Sequence, residues 1–303
     1  MKYKVAQIIP YFGKWPEWIE LYMYSCGHNP MVDFIFYTDC PLPKHRYANT
    51  IFNICSFDDY KKIVSNRLNI NYNISSAYKL TDLKPFLGFI HKRELNNYDF
   101  WGFGDLDLVY GDLSIIVNED NLTRYDLITT HNYHIAGHFT LCRNNSYYRN
   151  LCFKLKDWSI GLAEDIHHGY DEAEWSDLVF PSLKWIRTLH NRVFRHLGGV
   201  TLSKTLDTLN PIFGRRRMFM EFWTSPNPAP TKSETPEWLY DLNTGSIHRN
   251  DGKYIPYIHF LFFKKTPWLE TEYYWKDDFY LLDADFEKYR TIIFDYSKIQ
   301  GVI

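Results

Sequence analysis

Residues 101–112, WGFGDLDLVYGD, place three aspartates, Asp105, Asp107 and Asp112, in one of the most apolar and aromatic stretches of the chain. Carboxylates are rarely buried unless they are paired, hydrogen-bonded or bound to a metal ion. The wider stretch 98–111 is typical of a buried strand that ends at the aspartates. In open α/β sheets ligands bind beyond the carboxyl ends of the strands, so this stretch predicts both a strand and a binding site.

The segments on either side alternate between strand and helix patterns. Apolar or β-forming runs predict strands at 4–9, 32–38, 51–55, 126–131 and 138–144. Helical spacing predicts helices at 15–26, 76–95 and 146–158, the second of them kinked or divided by Pro85. This alternation predicts an α/β fold with a mixed, mostly parallel sheet flanked by helices. Residues 160–235 are less regular, and the short aromatic strands after them predict an elaborated C-terminal half.

Composition narrows the classes of function. A net charge of −2 and a pI near 6.6 argue against nucleic-acid binding, which needs an excess of Lys and Arg. The run Arg215–Arg217, followed by Met and aromatic residues, is either an anion- or membrane-binding surface or a solvated helix end. The five cysteines are odd in number and form no CxxC pair, which favours a reducing compartment.

Targeting signals are not apparent in the sequence. The apolar run before Pro10 is too short for a signal peptide, and no stretch approaches the ~18 apolar residues of a membrane span. We therefore expect a cytoplasmic protein that can bind peripherally to the inner face of the membrane. The aromatic share of 18% suits either a thick core or clefts on which sugar rings stack.

The aspartates predict a metal site. Asp105 and Asp107 are spaced i, i+2, which puts both carboxylates on one side of a strand. Two converging carboxylates suit Mg²⁺ or Mn²⁺, with water and phosphate oxygens completing the coordination. The alternative is that they cap a turn. His259, in the late stretch HFLFFKKTPW, is a potential third ligand, and the lysines behind it are potential partners of a diphosphate.

Three further groups of residues are candidates for substrate binding. Lys79, Asp82 and Lys84 lie on or near one helical face, where they either contact the ribose, base and phosphate of a nucleotide or form a solvated face. His138 follows two small residues at a strand start and is a candidate for hydrogen bonds with sugar hydroxyls. The stretch 164–177 is rich in acids. Within it Asp171 and Glu172 form the preferred pair for binding acceptor hydroxyls or stabilising positive charge at an anomeric carbon.

Taken together, the early strands, the DLD at the end of a middle strand and HFLFFKKTPW resemble the GT-A fold glycosyltransferases. The late motif is similar to HxxGxxKPW of the retaining family that contains glycogenin and bacterial lipopolysaccharide galactosyltransferases. The resemblance implies that Asp105, Asp107 and His259 bind Mn²⁺ and that Lys265 contacts the donor diphosphate. The chain departs from the motif at two positions: Phe262 replaces its Gly, and Thr266 is inserted before its Pro-Trp, which makes Lys264 the rival of Lys265.

The stretches IIPYFG, YKLTDLKP, FWGFGDLDLVYG and AGHFTLCRN resemble a group of bacterial polysaccharide glycosyltransferases more closely. This resemblance covers most of 4–145 and 255–268. It implies that the first strand and its loop hold the nucleotide base, through Pro10 and Tyr11, together with Thr38 and Asp39 at the end of the second strand. Tyr11 would stack on uracil, and a structural aromatic is the alternative.

The expected protein is a single GT-A domain of residues 1–303, with a nucleotide-binding half at 1–115 and an acceptor-binding half at 116–303. It would be a metal-dependent hexosyltransferase of surface polysaccharide synthesis that uses a nucleotide-diphosphate sugar, UDP-linked by preference, and a saccharide or lipid-linked acceptor. The late motif favours retention of configuration. Two alternatives stay open: a haloacid dehalogenase-type phosphatase, whose nucleophile motif DLDLV matches, and a carbohydrate-binding protein without catalysis.

Overall fold

The computed structural model describes residues 2–131, 134–179, 217–219, 237–259, 279–295 and 298–303. Up to residue 219 the strands are β1 (Val5–Pro10), β2 (Val32–Thr38), β3 (Thr50–Ile54), β4 (Phe100–Gly104), β5 (Leu108–Tyr110), β6 (Leu127–Thr129), β7 (Phe139–Arg143) and β8 (Arg217–Phe219). The later strands are β9 (Trp238–Asp241), β10 (Ser246–Arg249), β11 (Tyr254–Ile255), β12 (Tyr257–His259), β13 (Thr291–Phe294) and β14 (Ile299–Val302).

The central sheet has seven strands in the order β3-β2-β1-β4-β7-β6-β8. Strand β1 pairs in parallel with β2 and β4, while β7 runs antiparallel to both of its neighbours. Strands β1 and β2 are buried along almost their whole length, as their continuous apolar sequences require of inner parallel strands. The predicted fold class, a mostly parallel α/β sheet with helices, is confirmed.

Helices cover both faces of this sheet. They are α1 (Ile19–Gly27), α2 (Phe57–Leu68), α3 (Leu87–Ile90), α4 (Glu119–Arg124), α5 (Ser146–Asn150), α6 (Trp158–Ala163) and α7 (Glu174–Val179). Shorter 3₁₀ helices span Ala77–Phe86, Leu113–Ile115, Leu151–Lys154 and Phe286–Lys288. Because side chains alternate across a strand, Trp101 packs under α3 and α7 while its neighbour Phe100 packs on the α1 side.

A second, antiparallel sheet of five strands, β11-β10-β9-β13-β14, forms the strand-rich C-terminal part of the described chain. Its core includes Leu21 of α1 and Val109 of β5, so it packs against the central unit through those elements. Between the two sheets β12 pairs antiparallel with β5, and His259 lies opposite Leu108. This two-stranded ribbon joins the late part of the chain to the aspartate stretch.

Four local expectations differ from the structure. The helix expected at 146–158 is divided into α5, the 3₁₀ helix Leu151–Lys154 and the start of α6. Residues 98–111 form two strands, β4 and β5, because the chain bends between Asp105 and Asp107. The helix expected at 76–95 is a 3₁₀ helix followed by the single turn of α3, since Pro85 lacks the N–H that a continuous α-helix needs. Helix α2 was not expected. Ser56 caps it by accepting a hydrogen bond from the Asp59 N–H, at 3.1 Å.

All five cysteines lie within the described residues and are free thiols. In the ranges that the structure describes, no helix combines the length and the apolar character needed to cross a membrane. Of the basic run Arg215–Arg217, only the backbone of Arg217, in β8, falls within these ranges.

Candidate functional site

A pocket of about 970 Å³ opens at the carboxyl ends of β1 and β4, where the sheet topology predicts a ligand site. Its lining includes Pro10, Tyr11 and Trp18, and also Tyr78, Thr81 and Lys84 of the first 3₁₀ helix. The lining also contains four carboxylates, those of Asp105, Asp107, Asp171 and Glu172.

Asp105, Asp107 and His259 converge beside this pocket. One ligand atom from each lies within 4.8 Å of the others, a spacing that a single metal ion can bridge. His259 Nε2 is 3.6 Å from Asp107 Oδ2, and the Asp107 side chain is only 7% exposed. The β5–β12 pairing produces this approach, because it sets His259 against Leu108, the residue after Asp107.

The donor set of this cluster is two carboxylates and one imidazole. Carboxylate oxygens suit Mg²⁺ and Mn²⁺, while an imidazole ligand favours a transition metal over Mg²⁺, which prefers oxygen ligands. The residues present therefore fit a divalent ion such as Mn²⁺, which Asp105, Asp107 and His259 would hold. Asp112 is not part of the cluster. It is exposed and caps the 3₁₀ helix Leu113–Ile115, accepting a hydrogen bond from the Ser114 N–H at 2.9 Å.

Trp18 holds the bend between the two aspartates. Its indole N–H donates to the carbonyl oxygen of Leu106 at 2.5 Å. Because Leu106 separates Asp105 from Asp107, this bond fixes the backbone that aims both carboxylates. Trp18 lies in the stretch whose spacing predicts a helix, but helical spacing alone gives no indication that its ring reaches a residue 88 positions later.

Lys84 is the cation at the centre of the pocket. Its ammonium nitrogen lies 2.7 Å from Asp105 Oδ1 and 3.4 Å from Asp171 Oδ2, and its side chain is 10% exposed. Burial alone would lower the pKa of Lys84, but the two carboxylates outweigh it and raise that pKa above its ordinary value. Lys84 is therefore charged at neutral pH, and it joins the candidate metal cluster to the acidic pair.

Asp171 and Glu172 form the acidic pair on the far side of Lys84. Burial raises the pKa of Asp171 above its ordinary value, and the attraction of Lys84 only partly opposes this. Desolvation, and after it the neighbouring Asp171 carboxylate, also raise the pKa of Glu172. The two groups bind protons more readily than ordinary carboxylates, which suits them to receive a hydroxyl hydrogen.

Gly137 makes room for these charged groups to meet. A Cβ at this position would lie 2.6 Å from Asp171 Oδ2, 3.0 Å from Glu172 Oε1 and 3.3 Å from Lys84 Nζ. The Gly137 N–H donates to Glu172 Oε1 at 3.3 Å. Any larger residue here would force at least the Asp171 carboxylate to shift, so the glycine allows the close approach of the three side chains.

His138 lies behind the metal cluster rather than in the pocket. It is buried, shares a hydrogen bond with the Tyr257 hydroxyl at 2.9 Å, and stacks on His259 with ring centroids 4.0 Å apart. Burial, and then His259, hold the pKa of His138 well below its usual range, so its ring is neutral. In this arrangement His138 is a packing partner of His259, and its expected contact with sugar hydroxyls stays a prediction.

The residues expected around a nucleotide base fall into two sets. Pro10 and Tyr11 line the pocket, and the Tyr11 ring stacks on Trp15 with centroids 5.1 Å apart. Thr38 and Asp39 do not line it. The Thr38 hydroxyl accepts from the Cys40 N–H at 3.0 Å, and Asp39 accepts from the Gly13 N–H at 2.8 Å, so they hold the loop after β1 in place.

Lys79 and Asp82 are also placed away from the pocket. Their side chains are 1% and 0% exposed and form an ion pair at 2.8 Å. Neither residue lines the pocket, and their expected contact with a nucleotide stays a prediction. Lys265, expected to contact the diphosphate, and its rival Lys264 lie outside the described residues.

Comparisons with solved structures returned the glycosyltransferase GlyE of Streptococcus pneumoniae TIGR4 in two forms. One match is 13% identical over 73% of this chain and 46% of that chain, with a TM-score of 0.31. The other, the apo form, is 11% identical over 73% and 45%, with a TM-score of 0.29. The chain thus spans less than half the length of these proteins, and likeness at this level does not bear on its function.

None of the curated proteins matches the sequence significantly. One family model does match, over residues 7–196, which is well over half of the chain and includes most of the pocket. Its description is "Family of unknown function (DUF6625)". The chain belongs to this family, DUF6625.

Proposed function

We propose that the protein is a metal-dependent glycosyltransferase that moves a hexose from a nucleotide-diphosphate sugar, UDP-linked by preference, to a saccharide or lipid-linked saccharide. One observation carries the proposal: Asp105, Asp107 and His259, separated by about half of the chain, converge at the mouth of a large pocket at the strand ends. An aspartate pair with a distant histidine is the donor set that the resemblance to retaining GT-A enzymes implies. Synthesis of a surface polysaccharide, in the cytoplasm or at the membrane, is the corresponding role.

In this proposal each wall of the pocket has a task. Asp105, Asp107 and His259 would hold Mn²⁺ or Mg²⁺, which supplies positive charge to neutralise the donor diphosphate. Pro10 and Tyr11 would receive the base at the end of β1. Lys265 would add a second positive charge to the leaving diphosphate, as the late motif implies. The 1–115 and 116–303 halves would then bind donor and acceptor respectively.

The acidic pair would serve the acceptor. Asp171 and Glu172 lie across Lys84 from Asp105, so an acceptor hydroxyl bound to them would approach a donor sugar held near the metal cluster. Their raised pKa values favour hydrogen bonding to a hydroxyl. A carboxylate there would also stabilise positive charge that develops at the anomeric carbon. The aromatic lining residues Trp18 and Tyr78 would exclude water and limit hydrolysis of the donor.

The test is calorimetric titration of UDP-glucose, UDP-galactose and GDP-mannose into the protein, with Mn²⁺ or with EDTA. We expect at least one donor to bind only in the presence of metal, and Asp107→Asn to abolish this binding. Asp112→Asn is the matched control, because Asp112 belongs to the same stretch but caps a helix. It should bind like the wild type.

Three results would contradict the proposal. The first is that Asp107→Asn keeps metal-dependent binding of the donor. The second is glycan binding that survives EDTA and needs no nucleotide, which would favour a carbohydrate-binding protein. The third is release of phosphate from a small phosphate ester, together with an aspartyl-phosphate intermediate that fluoride mimics trap. This result would favour the phosphatase alternative.

A further inference from the structure

The first 3₁₀ helix contains a buried ion pair that the pocket does not use. Lys79 Nζ lies 2.8 Å from Asp82 Oδ2, with both side chains almost fully buried. We propose that this pair is a positioning clamp: it holds the loop 164–170 by its backbone and thereby sets the place of Asp171 and Glu172 in the pocket. Lys79 and Asp82 would act through the loop and touch no substrate.

The hydrogen bonds of the pair are directed at this loop and the end of the helix before it. Lys79 donates to the carbonyl oxygen of Gly161 at 2.6 Å and to that of Ile166. Asp82 accepts from the backbone N–H groups of His168, at 2.9 Å, and Gly169, at 2.7 Å. The two side chains thus reach four backbone groups that lie more than 80 positions later in the sequence.

Such a pair is costly to bury, so its arrangement calls for an explanation. Desolvating two charges is compensated only when the geometry is good and the remaining donors and acceptors are satisfied. Here Lys79 directs its three donor positions at Asp82, Gly161 and Ile166. Asp82 receives a further contact from His167 Nδ1 at 3.1 Å. The loop has neither helix nor strand, so its backbone groups depend on these side chains.

The clamp is directly continuous with the acidic pair. Gly169 has a positive φ of 64°, and two residues later Asp171 meets Lys84 at 3.4 Å. Lys84 belongs to the same 3₁₀ helix as Lys79 and Asp82. One short helix therefore has two contacts with this region. Its residues Lys79 and Asp82 hold the loop backbone, and Lys84 pairs with the carboxylate of Asp171, the residue directly after the loop. Shifting the loop would move Asp171 relative to Lys84 and Gly137.

The metal cluster should not depend on this clamp. Asp105 and Asp107 follow β4, and His259 is the last residue of β12. Releasing the loop should leave metal and nucleotide binding unchanged while slowing transfer, since a misplacement of ~1 Å in a positioned group can cost ~100-fold in rate. This consequence for transfer rests on the proposed function, whereas the order of the loop does not.

The experiment compares hydrogen exchange in the wild type and in Lys79→Met/Asp82→Asn, which removes both charges and leaves neither unpaired. Exchange in peptides covering 161–172 should become roughly tenfold faster or more, with other regions unchanged. Lys62→Met/Asp59→Asn is the matched control, because that pair has the same i, i+3 spacing and the same 2.8 Å distance but is exposed. It should leave exchange in 161–172 as in the wild type.

A second variant covers the case in which the double variant does not fold. Asp82→Glu keeps both charges but lengthens the acidic side chain by one methylene, and it should also raise exchange in 161–172, by a smaller factor. In both variants the Kd of Mn²⁺ and UDP should stay within about twofold of the wild type, while transfer falls by ~10-fold or more.

Unchanged exchange in 161–172 in the folded variants would overturn the clamp, and so would an increase spread evenly along the chain. A transfer rate that stays at the wild-type level despite faster loop exchange would overturn its role in positioning Asp171. If the wild type binds no nucleotide with metal, the proposed function fails. The exchange result still decides whether Lys79 and Asp82 hold the loop.

Discussion

Replacing His259 by Ala tests the convergence on which the proposed function rests. The cluster contains three protein ligands, and this change removes the one that arrives from the opposite end of the chain. Removing groups that only orient a metal ligand already costs ~10–100-fold in affinity, so we take about 100-fold for losing a ligand itself. The expected loss is therefore large enough to see in a simple thermal measurement.

The size of the thermal shift follows from mass action. At a Mn²⁺ concentration of about 100 times Kd, binding adds about 2.7 kcal/mol to the free energy of unfolding. For a chain of 303 residues, unfolding entropy is about 0.64 kcal/mol/K, so the wild-type Tm should rise by about 4 °C. At the same concentration a variant with 100-fold weaker binding gains only about 0.4 kcal/mol, which corresponds to less than about 1 °C.

The assay is a melting curve with Mn²⁺ and one with EDTA for each protein, so that any change in the stability of the metal-free form cancels. His248→Ala is the matched control, because His248 lies on β10 of the five-stranded sheet and outside the cluster. It should keep the full shift. A full shift in His259→Ala, or no shift in the wild type at any Mn²⁺ concentration, would refute the metal site.

Three further outcomes test the groups around Lys84. Gly137→Ala should lower the free energy of unfolding, measured in urea, by about 1–3 kcal/mol, because its Cβ would lie 2.6 Å from Asp171 Oδ2. It should also lower the rate of transfer but keep the affinity for Mn²⁺. An unchanged transfer rate would contradict the convergence of Asp171, Glu172 and Lys84 at this position. Asp171→Asn should raise the free energy of unfolding at pH 7, because the raised folded-state pKa of Asp171 makes its charged form costly. This gain should shrink as the pH falls through the raised folded-state pKa of Asp171 and should be absent below the ordinary value of 3.8, where both states hold the proton; a constant gain would contradict that assignment. Lys84→Met should lower the free energy of unfolding by about 3 kcal/mol, since it leaves Asp105 and Asp171 without their cation, and full stability would argue against the ion pairs.

The central sheet could be predicted from the sequence because its inner strands carry their own signal. The continuous apolar runs at β1 and β2 require burial on both faces, and the expected bounds differ from the observed ones by about one residue. Helix α2 also had a local signal, Ser56 followed three residues later by Asp59, which resembles a capping box. The helical periodicity itself is weak, because only Tyr60, Val64 and Leu68 of α2 are buried.

The break between β4 and β5 had no local signal. Apart from its aspartates and glycines, the stretch 98–111 is apolar and aromatic, so its pattern predicts one strand. The bend at Leu106 depends on a bond from Trp18 and on the pairing of β5 with β12, which is nearly 150 residues later. Long-range pairing of this kind is set by the folded chain and cannot be read from a window of the sequence.

The same limit explains Lys79 and Asp82. Their spacing in the sequence predicts that Lys79 and Asp82 lie near Lys84 on one helix, as they do. The spacing does not indicate which part of the chain packs on that side of the helix. The loop 164–170 covers the Lys79 side and leaves Lys84 at the pocket, so three neighbouring charges have two different roles. His138 is a similar case, since its burial against His259 depends on β12.

The balance of charge in the pocket is itself an argument for a bound cation. Among the described residues that line it, four carboxylates face the single ammonium of Lys84. One ammonium cannot balance four carboxylates by charge alone, and burial, with the neighbouring carboxylates as a smaller cause, raises the pKa of Asp171 and that of Glu172. Folding gains nothing from such crowding, and sequences keep it chiefly where function requires it. A divalent ion at Asp105, Asp107 and His259 would supply the missing positive charge, and it would also draw in the diphosphate of the proposed donor.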